Sequence, residues 1–167
     1  MTMSENSKIK VFQIHQAEFS FLGNENILVE SSDFGSIWGD FFTKGGYDPI
    51  LPYAADSKPV NIWYTNKEGQ NIYFQGLFVN EVDKVPKGYK LVHFPAGDFL
   101  VVTTEWMATN DEAVGEDGNG LCNRYAETVQ IPEGYIRDDG IITKIEKENS
   151  DTPDGSRYEV WIPIKKC

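Results

Sequence analysis

The chain has 167 residues, of which 40% are hydrophobic and 13% aromatic, and this composition predicts a folded protein rather than a disordered one. Its 26 acidic and 15 basic side chains give a net charge of −11, which repels phosphate and argues against direct nucleic-acid binding. The two cysteines form no disulfide or metal pattern, and no apolar run reaches the roughly 18 residues of a membrane span. Because the first residues, MTMSENSKIK, also lack a secretion signal, we expect a cytoplasmic protein with no metal, cofactor or membrane partner.

The first half of the sequence predicts a strand, a helix and a hairpin. Residues 9–22 alternate loosely and are rich in strand-forming side chains. Apolar side chains then recur at three- and four-residue steps, which predicts an amphipathic helix near residues 32–43 that ends at the glycines of KGGYDP. PVNIWYT and NIYFQGLFV, joined by NKEGQ, predict the hairpin.

The second half repeats this order after a linker, VDKVPKG. YKLVHFPAGDFLVVTTEW predicts a long strand that bends at PAGD, and NDEAVGEDGNG predicts an acidic, glycine-rich loop. Apolar spacing predicts a second helix near residues 119–130, which ends before Pro132. GIITKIEKE and RYEVWIPI predict a second hairpin, with NSDTPDG as its turn.

The repetition of strand, helix and hairpin predicts an α+β fold built from two similar modules. The repeats cover about residues 9–80 and 88–166, within one domain of residues 1–167. Two copies are too few for a solenoid, so we expect the two sheets to lie side by side.

Several segments, in this order, resemble the GyrI-like small-molecule-binding domain. FPAGDFLVV opens the second half and YEVWIPI closes it, while NIWYTNKEGQNIYFQGLFVNEVDKVPKGY resembles the stand-alone branch related to integron-cassette effector-binding proteins. The resemblance runs from about Lys10 to Lys166.

The resemblance implies tandem β-α-β-β modules of the SHS2 type, with an antiparallel sheet backed by two helices and a ligand cleft between the modules. Family members that carry a DNA-binding domain, as in AraC-type regulators, sense lipophilic and often cationic compounds. Some stand-alone members hydrolyse cyclopropane-bearing genotoxins. The two modules use every predicted segment and leave no helix-turn-helix, so we expect no direct control of transcription.

The main candidate for ligand binding is Glu159, in the strand RYEVWIPI. Strand alternation places Glu159 and Trp161 on one face and the apolar side chains of the strand on the other. A carboxylate among apolar neighbours is costly unless something pairs with it. The resemblance assigns a carboxylate on the pocket floor to cation recognition, and Glu159 occupies the matching position. An edge-strand carboxylate in solvent is the alternative.

Aromatic side chains provide the expected walls of the cleft. Trp63 shares a strand face with Asn61 and Thr65, and a pseudo-twofold arrangement would place Trp63 and Trp161 on opposite walls of one groove. Ordinary packing in the core is the alternative for both tryptophans. Glu105 and Trp106 are further candidates, which can share a pocket only if their strand ends beside them.

Other side chains are expected to be structural. Trp38 is predicted to belong to the core, and His15 and His93 to be hydrogen-bonded strand histidines, because a third metal ligand at useful spacing is missing. Cys122 is on an apolar helical stripe, which predicts an inert thiol.

Three functional hypotheses follow. The first is binding of lipophilic or cationic small molecules between aromatic walls with a buried carboxylate. The second is a cyclopropane hydrolase, in which a desolvated Glu159 would be the catalytic residue and handle protons. The third is an effector subunit that signals to a separate transcription regulator.

Overall fold

Within residues 8–138 and 140–167, which the computed structural model describes, the chain forms nine strands and three α-helices. The strands are β1 (Ile9–Gln16), β2 (Phe19–Ile27), β3 (Val60–Thr65), β4 (Asn71–Val79), β5 (Lys90–Phe94), β6 (Gly97–Thr104), β7 (Tyr135–Arg137), β8 (Ile142–Thr152) and β9 (Gly155–Lys166). The helices are α1 (Phe34–Thr43), α2 (Asn110–Val114) and α3 (Leu121–Thr128), with a 3₁₀ turn at Leu51–Tyr53 and a π-helical turn at Glu116–Gly120. None of the helices in this described part is long and apolar enough to cross a membrane.

The strands form one antiparallel sheet whose order has a twofold pattern. The order is β1-β6-β9-β8-β3-β4-β2-β5, with β7 beside β9. Strands at equal distances from the two ends of this order are counterparts in the two modules: β1 corresponds to β5, β6 to β2, β9 to β4, and β8 to β3, which form the central pair. This arrangement confirms the predicted α+β fold of two β-α-β-β modules side by side.

Two bent segments tie the modules together. The prediction of a single strand over residues 9–22 is wrong, because the chain turns between Gln16 and Phe19 and forms β1 and β2. The second bend, between β5 and β6, lies in PAGD as predicted. β1 pairs with β6 and β2 pairs with β5, so the two bent segments are hydrogen-bonded to each other on both sides of their bends. Each module therefore has its outermost strand supplied by the other.

Helix α1 begins and ends where the sequence predicts. The Asp33 carboxylate accepts hydrogen bonds from the amide of Gly35 at 3.1 Å and the hydroxyl of Ser36 at 2.8 Å. Beyond the helix, Gly46 has a φ of +59° and its amide donates to the carbonyl of Phe41 at 2.9 Å, which is how a glycine ends a helix. The predicted ranges 32–43 and 119–130 are confirmed to within two residues.

The acidic segment of residues 110–120 is not the predicted loop, since it contains α2 and the π-helical turn. The hydroxyl of Thr109 accepts from the Glu112 amide at 3.2 Å and donates to the Glu112 carboxylate at 3.1 Å. This hydrogen-bonded pair starts a helix in a segment whose glycines and charges favoured a loop.

The sheet has two differently packed faces, which we call the concave face and the helix face. On the concave face, Phe78 of β4 stacks on Trp161 of β9 at 6.0 Å although two strands separate them, so the sheet curves around this side. On the helix face, Cys122 and Ala126 of α3 pack on apolar side chains of β6 and β9. The prediction that the apolar face of RYEVWIPI lies under a helix is confirmed by four buried residues, Tyr158, Val160, Ile162 and Ile164.

Candidate functional site

A cleft of about 350 Å³ lies on the helix face, above the centre of the sheet where the two modules meet. α1 and the loop after it form one wall, and α2 with the π-helical turn forms the other. Side chains of β3, β4, β8 and β9 form its floor. The lining residues are Trp38, Phe42, Tyr47, Asn61, Tyr73, Val114, Asn119, Glu146, Glu148 and Tyr158.

Two carboxylates on the floor come from alternate positions of β8. Glu146 is only 8% exposed at its side chain, and Tyr158 donates a hydrogen bond to it at 2.6 Å. The ammonium of Lys144, two positions earlier on the same strand, forms an ion pair with Glu146 at 3.2 Å. Glu146 therefore has both a hydrogen-bond donor and a compensating positive charge.

Glu148, the second carboxylate, has neither. Among the residues that the structure describes, no side chain forms an ion pair or hydrogen bond with it. Burial, and secondly the negative charge of Glu146, raise the pKa of Glu148 above its ordinary value of 4.5. Burial and these carboxylates also raise the pKa of the Tyr47 and Tyr73 phenols, which stay neutral at physiological pH.

Aromatic rings line the cleft next to these charges. Trp38 and Phe42, one turn apart on α1, stack with their ring centroids 5.8 Å apart, and Phe42 is 58% exposed. Trp38 is only partly buried and lines the cleft, so the prediction that it is a core residue is wrong. Its ring meets the Tyr73 ring edge-on, with centroids 6.4 Å apart, and the Tyr73 ring in turn packs on the Trp63 ring, with centroids 4.6 Å apart.

Two polar groups in the cleft lack partners. In the described ranges, neither the buried hydroxyl of Tyr47 nor the buried side-chain oxygen of Asn61 has a hydrogen-bond partner. Asn61 opposes Glu146 across the central strand pair and is only 9% exposed. Buried polar groups are normally paired, and leaving one unpaired costs about 1–3 kcal/mol. These groups fit a site that contacts a bound molecule.

The structure places Glu159 on the concave face, away from this cleft. One oxygen accepts from Asn149 and Arg157, each at 3.1 Å, and the other accepts from the Trp161 indole at 3.1 Å. The side chain of Glu159 is 7% exposed. Its burial is compensated inside the chain, which fits a structural role. Its contact with a ligand stays a prediction.

The expectation that Trp63 and Trp161 form opposite walls of one groove is wrong. Trp161 opposes Ile145, and Ile145 opposes Ile62, so all three point to the concave face. Trp63 follows Ile62 and points to the helix face. Ligand binding by either tryptophan also stays a prediction. The signal missed in the sequence is the alternation of KIEKE, which places Lys144, Glu146 and Glu148 together on the helix face.

Glu105 and Trp106 lie elsewhere on the surface. β6 ends at Thr104, so both side chains can border one cavity, of about 410 Å³, beside α2. The exposed carboxylate of Glu105 pairs with Lys10 at 2.8 Å, and the guanidinium of Arg157 covers the Trp106 ring at 4.2 Å. Their role in ligand binding stays a prediction.

The remaining candidates do not point to a competing site. His15 contacts Asp98 at 2.9 Å and His93 contacts Ser20 at 3.2 Å, and the described residues contain no cluster of three metal-binding side chains. Cys122 is fully buried, and burial raises the pKa of its thiol to about 12. A larger surface cavity of about 510 Å³ lies beside β5, but the unpartnered polar groups found in the described ranges do not line it.

Comparisons with known proteins agree with this architecture. The sequence profile of the integron-associated effector binding proteins matches residues 15–164. No curated protein sequence matches the chain.

Solved structures share the GyrI-like fold. SAV2435 bound to tetraphenylphosphonium has a TM-score of 0.65 and 10% identity, over 93% of this chain and 94% of that one. The integron cassette protein VCH_CASS2 of Vibrio cholerae has a TM-score of 0.56 and 12% identity, over 95% and 96%. EcmrR in its DNA complex has a TM-score of 0.56 and 14% identity, over 95% of this chain and 58% of that one.

Proposed function

The chain belongs to the family of integron-associated effector binding proteins, and we propose that it binds lipophilic cations in the central cleft. The observation that carries the proposal is the half-buried carboxylate of Glu148, which has no partner in the described chain and faces aromatic walls. A lipophilic cation would supply the missing charge and cover the apolar rings. SAV2435, which has this fold, holds such a cation, tetraphenylphosphonium.

The magnitudes suit a binding protein of moderate affinity. A cation over an aromatic ring contributes about 0.5–2 kcal/mol. A charge pair at 4 Å contributes about 4 kcal/mol at an effective dielectric constant near 20. The partly exposed Phe42 and Trp38 offer aromatic surface to ligands in the cleft. Together these terms favour micromolar binding of a class of compounds rather than of one compound.

Calorimetric titration with tetraphenylphosphonium tests the proposal. Glu148→Gln removes the charge and keeps the shape, so we expect the affinity to fall about tenfold or more, about 1.4 kcal/mol. The affinity for triphenylphosphine oxide, which is neutral, should fall much less. Glu159→Gln removes a carboxylate from the opposite face and separates the two candidate carboxylates: if the ligand binds beside Glu148 and not Glu159, both affinities should stay within about twofold. Equal losses in the two variants would contradict the proposal.

Hydrolysis of a cyclopropane-bearing compound is a second candidate, favoured by the contact between Tyr158 and Glu146 in the same cleft. The Glu148 carboxylate would take a proton from the water that attacks one ring carbon and would pass that proton to the other ring carbon as the bond between them breaks, so that the OH and the H of one water are added and Glu148 is regenerated. Chromatography of the compound after incubation distinguishes the two functions, since binding alone leaves it intact.

A third candidate is an effector subunit that acts in the cytoplasm with a separate transcription regulator. It is supported by EcmrR, in which a domain of this fold makes up part of a chain solved in complex with DNA. The ligand-bound and ligand-free forms would then differ in affinity for that regulator.

A further inference from the structure

We infer that the cleft selects ligands with a single positive charge, because Lys144 neutralises one of its two carboxylates. This inference rests on the proposed function and specifies the charge of its ligand. It starts from the difference between Glu146, which is paired, and Glu148, which is not.

Lys144 is held on the helix face, beside the cleft, by three contacts. Its ammonium lies 3.2 Å from the Glu146 carboxylate and donates to the side-chain oxygen of Asn123 at 3.0 Å. It also lies over the Trp63 ring, 4.2 Å from the centroid. Its side chain is 27% exposed. The Lys144 ammonium thus has, next to the cleft, the combination of aromatic ring and carboxylate that would also bind a ligand cation.

Neighbouring cations in the described chain do not compensate Glu148. Lys147, the adjacent residue on β8, points to the concave face and pairs with Asp56 at 2.6 Å. Arg157, on β9, pairs with Glu159 on that same face. The buried, unpartnered side-chain oxygen of Asn61, a residue only 9% exposed, marks the same floor as a place of ligand contact.

The floor therefore presents two negative charges and one internal positive charge. A ligand with one positive charge brings the sum to zero. A second positive charge would be desolvated beside Lys144 without a counter-ion, and an unpaired buried charge is strongly unfavourable. Removal of the Lys144 charge should therefore relax the discrimination against dications.

Ethidium and propidium are suitable probes, because they share a ring system and propidium carries an additional quaternary ammonium. We expect fluorescence titration of the wild-type protein to show ethidium binding at least tenfold more tightly than propidium. In Lys144→Met the ratio of the two affinities should shift toward propidium by about tenfold, about 1.4 kcal/mol. Lys144→Gln, which keeps a hydrogen-bonding group toward Asn123, should give the same shift and serves if the methionine variant does not fold.

Lys147→Met is the matched control, since it removes an equal charge from the opposite face of the same strand, and the ratio should stay at the wild-type value. Lys144→Arg should also keep it. If wild-type protein binds propidium as tightly as ethidium, or if both neutral variants at Lys144 leave the ratio unchanged within twofold, the inference is wrong while the proposed function survives. If neither dye nor tetraphenylphosphonium binds to the wild type, the proposed function fails and this inference fails with it.

Discussion

Glu148 and Glu159 are carboxylates on neighbouring strands, and the sheet gives them different surroundings. Glu159 faces the concave side and accepts three hydrogen bonds, one of them from Arg157, whose side chain is 19% exposed. Glu148 faces the helix side beside the cleft, where burial raises its pKa. Glu159 is therefore paired within the fold, and Glu148 carries a cost of burial that the ligand cation proposed above would offset.

The two glutamines that replace these residues should act in opposite directions on the free energy of unfolding. Glu159→Gln leaves the mostly buried guanidinium of Arg157 without a counter-ion, so we expect a loss of about 2–4 kcal/mol. Urea denaturation at pH 7 measures it. Unchanged stability would show that Glu159 is not part of a buried ion pair.

Glu148→Gln should raise the free energy of unfolding at pH 7 and leave it unchanged at pH 4. The folded-state pKa of Glu148 is raised, so its protonated form contributes stability that is complete below the ordinary value of 4.5 and lost as the pH rises through the folded value. A neutral side chain keeps that stability at every pH. Denaturation curves at both pH values measure the difference, and a gain of equal size at pH 4 would contradict this account.

At the scale of the elements, most of the fold could be predicted from the sequence. The helices follow from apolar side chains at helical spacing, and the hairpins from alternation around short turns. α2 was missed because its capping pair is in a segment rich in glycine and charge. The bend between β1 and β2 was missed because Ala17 and Glu18 carry no turn signal, whereas Pro95 marks the equivalent bend between β5 and β6.

The sequence predicted a cleft between the modules with Glu159 on its floor, whereas the cleft on the helix face has Glu146 and Glu148 there. Alternation along a strand separates its two faces and does not say which face lies under helices and which one curves around a core. Glu159 and Trp161 were assigned to the cleft for this reason. The contacts that satisfy Glu159 come from Asn149 and Arg157, and the position of these partners depends on strand register across the second hairpin.

The glycines of β2 and β4 give a test of close strand contact. A methyl group on Gly76 would lie 2.2 Å from the backbone oxygen of Leu22, in the neighbouring strand. Gly76→Ala should therefore destabilise the protein by more than 2 kcal/mol, because backbone has to move. Gly39→Ala is the control, since nothing lies within 4 Å of its added carbon on α1, and it should raise stability by about 0.5–1 kcal/mol. Thermal unfolding followed by circular dichroism measures both, and equal effects would contradict the packing described for this strand pair.

At the scale of the whole molecule, charge sets which partners are available. With a net charge of −11, the chain has no excess of cations to replace the counter-ions of DNA. We expect no mobility shift of duplex DNA at micromolar protein, with or without tetraphenylphosphonium. A shift that weakens as salt increases would contradict this prediction and would remove the need for a separate DNA-binding partner.

The exchange of outer strands between the modules has a consequence for how the chain can be divided. A piece that ends in the linker VDKVPKG would contain β1 without β6, and β2 and β4 without β5. Each half lacks the outermost strand of its sheet, so neither half should fold stably alone. Each half does carry the strand that the other lacks. Two fragments produced together should thus recover the native form by complementation.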